Sequence, residues 1–254
     1  MKKIIDIVIP WIDALALFTW GTLLLKYWST GQIKLLIHPN YAWLVVCAGL
    51  ILTVMGSLRI LPLVIALVHR RQQINNKSEE HLSIFPPGMG SIILLAIAIL
   101  GLSVSPRALA SDMALKRGVT ETFSFTRSQP QSFRAAIKPE DRSLIDWVRT
   151  LNAYPEPDAY TDQKVNVKGF VVHSPELPDE YFLVSRFILT CCAVDAYPVG
   201  IPVKIETSRD NYNVDQWLEI KGTMATEELS EKRQLVIVPE ELKKIATPKD
   251  PYDY

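Results

Sequence analysis

Two adjacent cysteines, followed three residues later by an aspartate, form the densest group of potentially reactive side chains in this sequence. Cys191, Cys192 and Asp195 lie within RFILTCCAVDAYPVG, residues 186–200. Thiolates are soft ligands for zinc or copper, and a nearby carboxylate can complete or orient such a site. Adjacent side chains of a regular strand point to opposite faces. Both sulfurs therefore reach one ion only where the chain turns or bulges.

The sequence around the cysteines predicts such a turn. The apolar run Phe187–Thr190 stops at the cysteines, and Pro198 and Gly200 favour a change of direction shortly afterwards. We therefore expect the two thiols and the carboxylate in a turn at the edge of a domain, not in the middle of a strand.

Three roles for the adjacent cysteines stay open at the level of sequence. As a metal site, two thiolates and one carboxylate are one ligand short of a closed zinc site, so His173, His38, water or a partner protein would complete it. As a redox centre, the two would form a vicinal disulfide, strained and labile because adjacent α-carbons are only ~3.8 Å apart. As structural residues, one would pack in a core and the other would lie in a tight turn.

Three further ionisable side chains lie in or beside apolar segments. Asp13 is about four residues into the first such segment and Arg59 about eight residues from the end of the second, so at ~1.5 Å per residue their depths in a membrane differ by only ~6 Å. They could pair, or belong to a polar path shared with another membrane protein, or Arg59 could extend to the headgroups. His38, before Pro39, could bind metal or relay protons, or could begin an interfacial helix.

The elements that would position these groups fall into two parts. Apolar segments at about 9–27, 41–68 and 89–104 predict three membrane-spanning helices within residues 1–105, since ~20 residues cross the hydrocarbon core. The third segment is short but carries no charged residue. Cys47, inside the second segment, is expected only to pack.

Loop charges predict the orientation of these spans. Positively charged loops stay in the cytoplasm, which favours an N-terminus inside and residues 106–254 outside. Five basic side chains would then lie inside and two beside the outer loop: Lys2, Lys3, Arg70, Arg71 and Lys77 against Lys26 and Lys34. If the third segment does not cross, the large domain is cytoplasmic. If Ala108-Leu109-Ala110 is a cleavage site, the domain is released.

Residues 106–138 are rich in polar residues and predict an extended tether or irregular wrap, and residues 139–254 predict a water-soluble domain. An amphipathic helix is expected over 139–152. The pattern then alternates with a period of two, which predicts a mostly antiparallel, five-stranded, OB-like barrel. The expected strands are 164–173, 181–191, 199–206, 216–224 and 234–238.

Charge and motif content exclude several functions. Residues 1–105 carry eight basic and four acidic side chains, and residues 106–254 carry 19 basic and 23 acidic ones. No part is basic enough to predict a nucleic-acid partner. The sequence has no Ser-His-Asp spacing, phosphate-binding glycine loop, HExxH or paired CxxC motif, so nothing predicts an enzyme.

Two segments resemble a known family. The first segment is GQIKLLIHPNYAWLVVCAGLIL. The second comprises VKGFVVHS, FLVSRFILTCCAVDAYPVGIPV and QWLEIKG. Both are similar to the YcgQ-like family of uncharacterised bacterial membrane proteins, whose most distinctive string is CC-x-x-DA-x-PVG. The resemblance implies an accessory subunit of a multi-span permease in the cell (inner) membrane, with membrane lipid around it. It also favours a functional role for Cys191, Cys192 and Asp195, with zinc or copper as the expected ion.

The expected function is therefore a membrane-anchored accessory subunit with an extracytoplasmic ligand- or metal-binding domain. The alternatives are a purely structural docking partner of the permease and a thiol redox protein that uses the adjacent cysteines.

Overall fold

The structure is a computed structural model that describes residues 2–68, 88–119, 138–230 and 232–254, with side chains from residue 7 onward. It divides into two compact units, Met1–Arg107 and Ala108–Tyr254. The basic side chains expected in the first cytoplasmic loop, and most of the expected tether, lie outside the described residues.

The first unit is helical. Two of its helical stretches, Ile7–Ser29 and Pro39–Val68, are long and apolar enough to cross a membrane. The third predicted span is a shorter apolar helix of 15 residues. The three helices are α1 (Lys2–Ser29), α2 (Ala42–Val68) and α3 (Met89–Ser103), with short 3₁₀ turns at Gln32–Leu35 and Pro39–Tyr41 between the first two.

Glycines allow α1 and α2 to pack closely in an antiparallel arrangement. A Cβ atom at Gly56 would lie 2.7 Å from the backbone nitrogen of Phe18, and one at Gly49 would lie 3.1 Å from the side chain of Leu25. As the residue number rises along α2, its contacts move back along α1. Small residues let two helix backbones approach closely. Helices in lipid commonly pack in this way, because apolar side chains there gain little free energy by moving from the acyl chains into a helix contact.

The short helix α3 runs parallel to α1 along most of its length. Gly88, just before α3, lies against Ile9. In the middle, the Trp20 indole donates a hydrogen bond to the carbonyl of Leu94 at 2.9 Å. Near the end of both helices, the Tyr27 hydroxyl donates to the carbonyl of Gly101 at 2.6 Å.

The second unit is built around a six-stranded mixed sheet. Its strands are β1 (Lys164–Val172), β2 (Tyr181–Ile188), β3 (Tyr197–Lys204), β4 (Trp217–Leu229), β5 (Lys232–Lys244) and β6 (Tyr252–Asp253). The order is β1-β4-β5-β3-β2-β6, and β1 also pairs with β2. The pairings β3–β5 and β2–β6 are parallel and the others antiparallel. Each of the first five strands therefore pairs with two of the other four, and β2 also pairs with β6.

Strand β4 changes register against β5 at Lys221 and Gly222. A Cβ atom at Gly222 would lie 2.9 Å from the Cα atom of Pro239. Glycine therefore permits the bulge by which these two 13-residue strands bend. The bulge explains why β5 continues through Pro239, which the sequence pattern excluded from the strand.

Two helices pack against the sheet. In α5 (Leu144–Ala153), Ser143 and Asp146 form a capping box, which fixes the helix start five residues later than expected. The preceding residues Pro139–Asp141 form a 3₁₀ turn instead. The apolar face of α5, including the nearly fully buried Leu144 and Val148, completes the core.

Part of the expected tether is a helix of the second unit. Residues Ser111–Arg117 form α4, which contacts β1 and β3. Ser111 and Ala114 on its inner face are buried. A helix of seven residues is too short to give a recognisable periodic pattern in a polar sequence. Its stability depends on tertiary packing, here of these two small side chains. Residues 120–137 of the expected tether lie outside the described part of the chain.

The contact between α1 and α2 makes Gly56→Ala a test of the first unit. Its Cβ atom would have to displace the backbone of Phe18, which in a well-packed core costs about 1–3 kcal/mol. We expect a lower thermal unfolding midpoint for the purified protein in mild detergent. The matched control is Gly90→Ala, where the new methyl group would point into open space. Equal midpoints for the two variants would show that the close approach is not needed.

Candidate functional site

The two cysteines and the aspartate lie together in the turn between β2 and β3. We call the segment 190–196 the thiol turn. It follows the end of β2 at Ile188 and precedes β3 at Tyr197, so the expected turn is confirmed. The sulfurs of Cys191 and Cys192 and a carboxylate oxygen of Asp195 all lie within 4.8 Å of one another.

The carboxylate of Asp195 builds this turn. One oxygen accepts hydrogen bonds from the Thr190 hydroxyl and from the backbone N–H of Cys191, the latter at 2.9 Å. The other oxygen accepts from the backbone N–H of Cys192 at 3.0 Å. The N–H of Asp195 in turn donates to the carbonyl of Cys192 at 3.0 Å. Burial alone would raise the pKa of Asp195, but the hydrogen bonds from Thr190, Cys191 and Cys192 lower it to about 2.

The same carboxylate keeps the neighbouring thiol neutral. The side-chain hydrogen bond between Cys191 and Asp195, followed by that with Cys192, raises the pKa of Cys191 to about 11. A thiolate must form before a sulfur binds a metal ion, so an ion at this position has to displace a proton. Binding there should release protons and become tighter as the pH rises.

The base of the thiol turn is fixed while its tip is open. Leu189, just before the turn, and Ala196, its last residue, are 0 % and 1 % exposed, whereas Val194 at the tip is 83 % exposed. The N–H of Leu189 donates to the carbonyl of Asp253 at 2.9 Å. The side chain of Asp253 forms an ion pair with Arg186 at 3.3 Å. Cys191 itself is exposed, so an incoming ion or partner can reach it.

Sequence reasoning missed the charged residues that support the turn. Arg186 could have been noticed as a cation within an apolar strand, and it also lies over the ring of Trp217, 5.8 Å from its centroid. Asp253 gave no signal because β6 is only two residues long. Arg117 of α4 also donates to two carbonyls of the turn, Ala193 and Ala196, and nothing in its local sequence indicated this contact.

His173 is not part of the cluster. Strands β1 and β2 pair antiparallel, with Val172 opposite Leu183 near the start of β2. Cys191 follows the other end of β2, and eight residues at ~3.3 Å each place it roughly 25 Å from that point. The ring of His173 instead contacts the carbonyl of Tyr212 at 2.9 Å. The expected ligand therefore lies at the wrong end of the strand.

In the first unit, His38 acts as a helix cap. Its Nδ1 accepts a hydrogen bond from the N–H of Asn40 at 3.1 Å, at the start of the 3₁₀ turn Pro39–Tyr41. Its ring also lies edge-on to Tyr41. His38 therefore lies at the start of a short helical turn, and its role in binding metal or relaying protons stays a prediction.

Asp13 and Arg59 line the same cavity of about 620 Å³ between the helices of the first unit. Its other walls include Trp20, Met55 and Ser91. Within the described residues, the ion pairs do not include one between Asp13 and Arg59. The two side chains thus line one cavity but do not form an ion pair with each other.

Comparison with protein families gives two matches. The DUF1980 N-terminal domain matches residues 12–120, and the DUF1980 C-terminal domain matches residues 125–254. No curated protein matches the chain. The first match extends through α4, although α4 packs in the second compact unit.

The role of Asp195 in holding the Cys191 proton can be tested by Asp195→Asn. Removing the negative charge should lower the pKa of Cys191 from about 11. For each unit of that fall, alkylation of Cys191 near pH 8 should become about threefold faster, since the thiolate fraction rises tenfold while its nucleophilicity falls about threefold. Peptide mass spectrometry after timed iodoacetamide treatment measures this. Asp210→Asn, an exposed aspartate in another turn, is the control, and an unchanged rate in both variants would contradict the prediction.

Proposed function

The chain belongs to the DUF1980 family, and we propose that it is a membrane-anchored accessory subunit of a multi-span permease that binds a soft metal ion at the thiol turn. The observation that supports this most directly is the convergence of two sulfurs and a carboxylate within 4.8 Å on an exposed turn. A turn that only connected two strands would need neither adjacent thiol.

The donor set favours zinc or copper over harder ions. Thiolates select soft and borderline cations such as copper(I) and zinc, whereas magnesium and calcium prefer oxygen ligands. The carboxylate of Asp195 already accepts three hydrogen bonds, so the two sulfurs would be the principal ligands. Zinc would need two further ligands from water or a partner protein. An open coordination position suits a site that passes its ion on.

We propose that the soluble unit is an OB-like barrel. The pairings β1–β4–β5–β3–β2 lead back to β1, and this circuit of five strands supports closure. In this interpretation, β6 is an addition beside β2. The thiol turn would then be one of the loops at an end of the barrel, held by a rigid scaffold as binding loops commonly are.

The packing of the first unit supports three crossings of the inner membrane. Because α3 follows α1 from Ile9 to Tyr27, it lies at the same depths as α1 and runs in the same direction. With the N-terminus inside, α2 returns and α3 exits, so the soluble unit is extracytoplasmic. Asp13 and Arg59, unpaired with each other in a cavity of this unit, would supply polar contacts to a permease helix.

Direct titration of the full-length protein in mild detergent tests the metal site. We expect wild type to bind zinc or copper(I), and Cys191→Ser/Cys192→Ser to lose at least tenfold in affinity, because serine hydroxyls are poor ligands for soft ions. Affinity in wild type should rise with pH as thiol protons are released more easily. Cys47→Ser, which removes the third free thiol, is the control.

Equal binding by wild type and the double variant would overturn the metal proposal. If that double variant also still supported the permease in cells, the thiols would be packing residues and the subunit a structural docking partner. Reversible loss of both free thiols under mild oxidants, without metal binding, would instead favour the redox alternative.

The orientation is tested by a reporter fused after Tyr254 that is active only when exported. We expect activity, since three crossings from an inside N-terminus end outside. A fusion after Val68, at the end of α2, is the matched control and should be inactive because two crossings return the chain to the cytoplasm. A cytoplasmic location for the fusion after Tyr254 would overturn the assignment.

A further inference from the structure

A single side chain connects helix α4 to the thiol turn. Arg117, the last residue of α4, donates from Nη1 to the carbonyl of Ala193 at 3.5 Å and also to the carbonyl of Ala196. Both carbonyls belong to the thiol turn, one on each side of Asp195. The guanidinium therefore holds the outer half of the turn from a different part of the chain.

Helix α4 is itself held on the second unit at its beginning. The N–H of Leu109 donates to the hydroxyl of Tyr252 at 2.8 Å, and the N–H of Ser111 donates to the carboxylate of Asp215 at 2.6 Å. Arg117 provides the contact at the opposite end of the helix. Because α4 is the first element after α3 along the chain, the segment that leaves the apolar helices is the one that holds the turn.

We propose that Arg117 is a positioning residue that couples ion binding at the thiol turn to the docking of α4. This inference rests on the proposed metal site. Arg117 already binds both carbonyls in the structure. A docked α4 therefore holds the turn in one conformation before Cys191 and Cys192 close on an ion. The conformational entropy of the turn is lost only once, so the ion contact and the Arg117 contact stabilise each other.

Coupling of this kind acts in both directions. If a docked α4 tightens ion binding, an ion must strengthen the docking of α4 by the same factor. Couplings between sites are typically about 5- to 150-fold in affinity. The permease would then respond to the ion through residues 108–119, which follow α3 in the chain, without contacting the sulfurs.

The test compares Arg117→Gln with Lys116→Gln in the full-length protein in detergent. Lys116 is the neighbouring cation of α4, exposed and within 3.9 Å of Asp112, so its substitution removes the same charge without a contact to the turn. Two quantities are measured: the affinity for copper(I) and zinc, and hydrogen exchange of residues 108–119 with and without the ion.

In wild type and Lys116→Gln, we expect the ion to slow exchange in residues 108–119. In Arg117→Gln, affinity should fall at least fivefold and the ion should no longer protect this segment. Arg117→Lys, which keeps one charged donor, should recover part of both effects. Unchanged hydrogen exchange in β4, which pairs with neither β2 nor β3, verifies that the variants are folded.

Two outcomes overturn the coupling. Arg117→Gln could bind the ion as wild type does and keep its protection, or wild type could bind the ion without any change in residues 108–119. In the second case Arg117 only stabilises the fold. If wild type binds neither ion, the proposed metal site itself fails, which is a separate result from a site that binds without coupling.

Discussion

The carboxylate of Asp195 is the interaction on which the candidate site depends. It accepts the backbone N–H groups of Cys191 and Cys192 and the hydroxyl of Thr190, and it thereby reverses the chain directly after β2. Without that reversal, adjacent cysteines in an extended chain would point to opposite faces. The short distance between the sulfurs is therefore a consequence of how one side chain satisfies three donors.

This arrangement has a chemical consequence for the thiols. A negative charge that folds the turn also opposes a second negative charge on sulfur, and the pKa of Cys191 is raised to about 11. With its pKa raised, the Cys191 thiol stays neutral at physiological pH, which slows its oxidation and alkylation. In the proposed metal site, a cation would reverse the balance, because its charge would compensate both the thiolates and the carboxylate. Such a site would favour ions that bind sulfur strongly enough to displace protons.

An interaction could be predicted from the sequence when its partners lie close together along the chain. The thiol turn depends on residues within ten positions of one another, and the position of Pro198 and Gly200 indicated it. The five main strands were expected from their alternation, although the mixed pairing was not, since the parallel contact between β3 and β5 joins distant parts of the chain. His173 was misplaced for a different reason. Its approach to Cys191 required the ends of β1 and β2 to meet, whereas antiparallel pairing places the end of β1 beside the start of β2.

The contact from Arg117 lay further beyond prediction, because it joins α4 to carbonyls that are 76 and 79 residues away in the chain. The family match that covers the apolar helices extends through α4, whereas packing assigns α4 to the second unit. One short helix therefore belongs to the first domain by sequence and to the second by its contacts. The buried Ala114 and the guanidinium of Arg117 both hold α4 on the second unit. Moving α4 off this unit would have to break the hydrogen bonds at Leu109, Ser111 and Arg117 together.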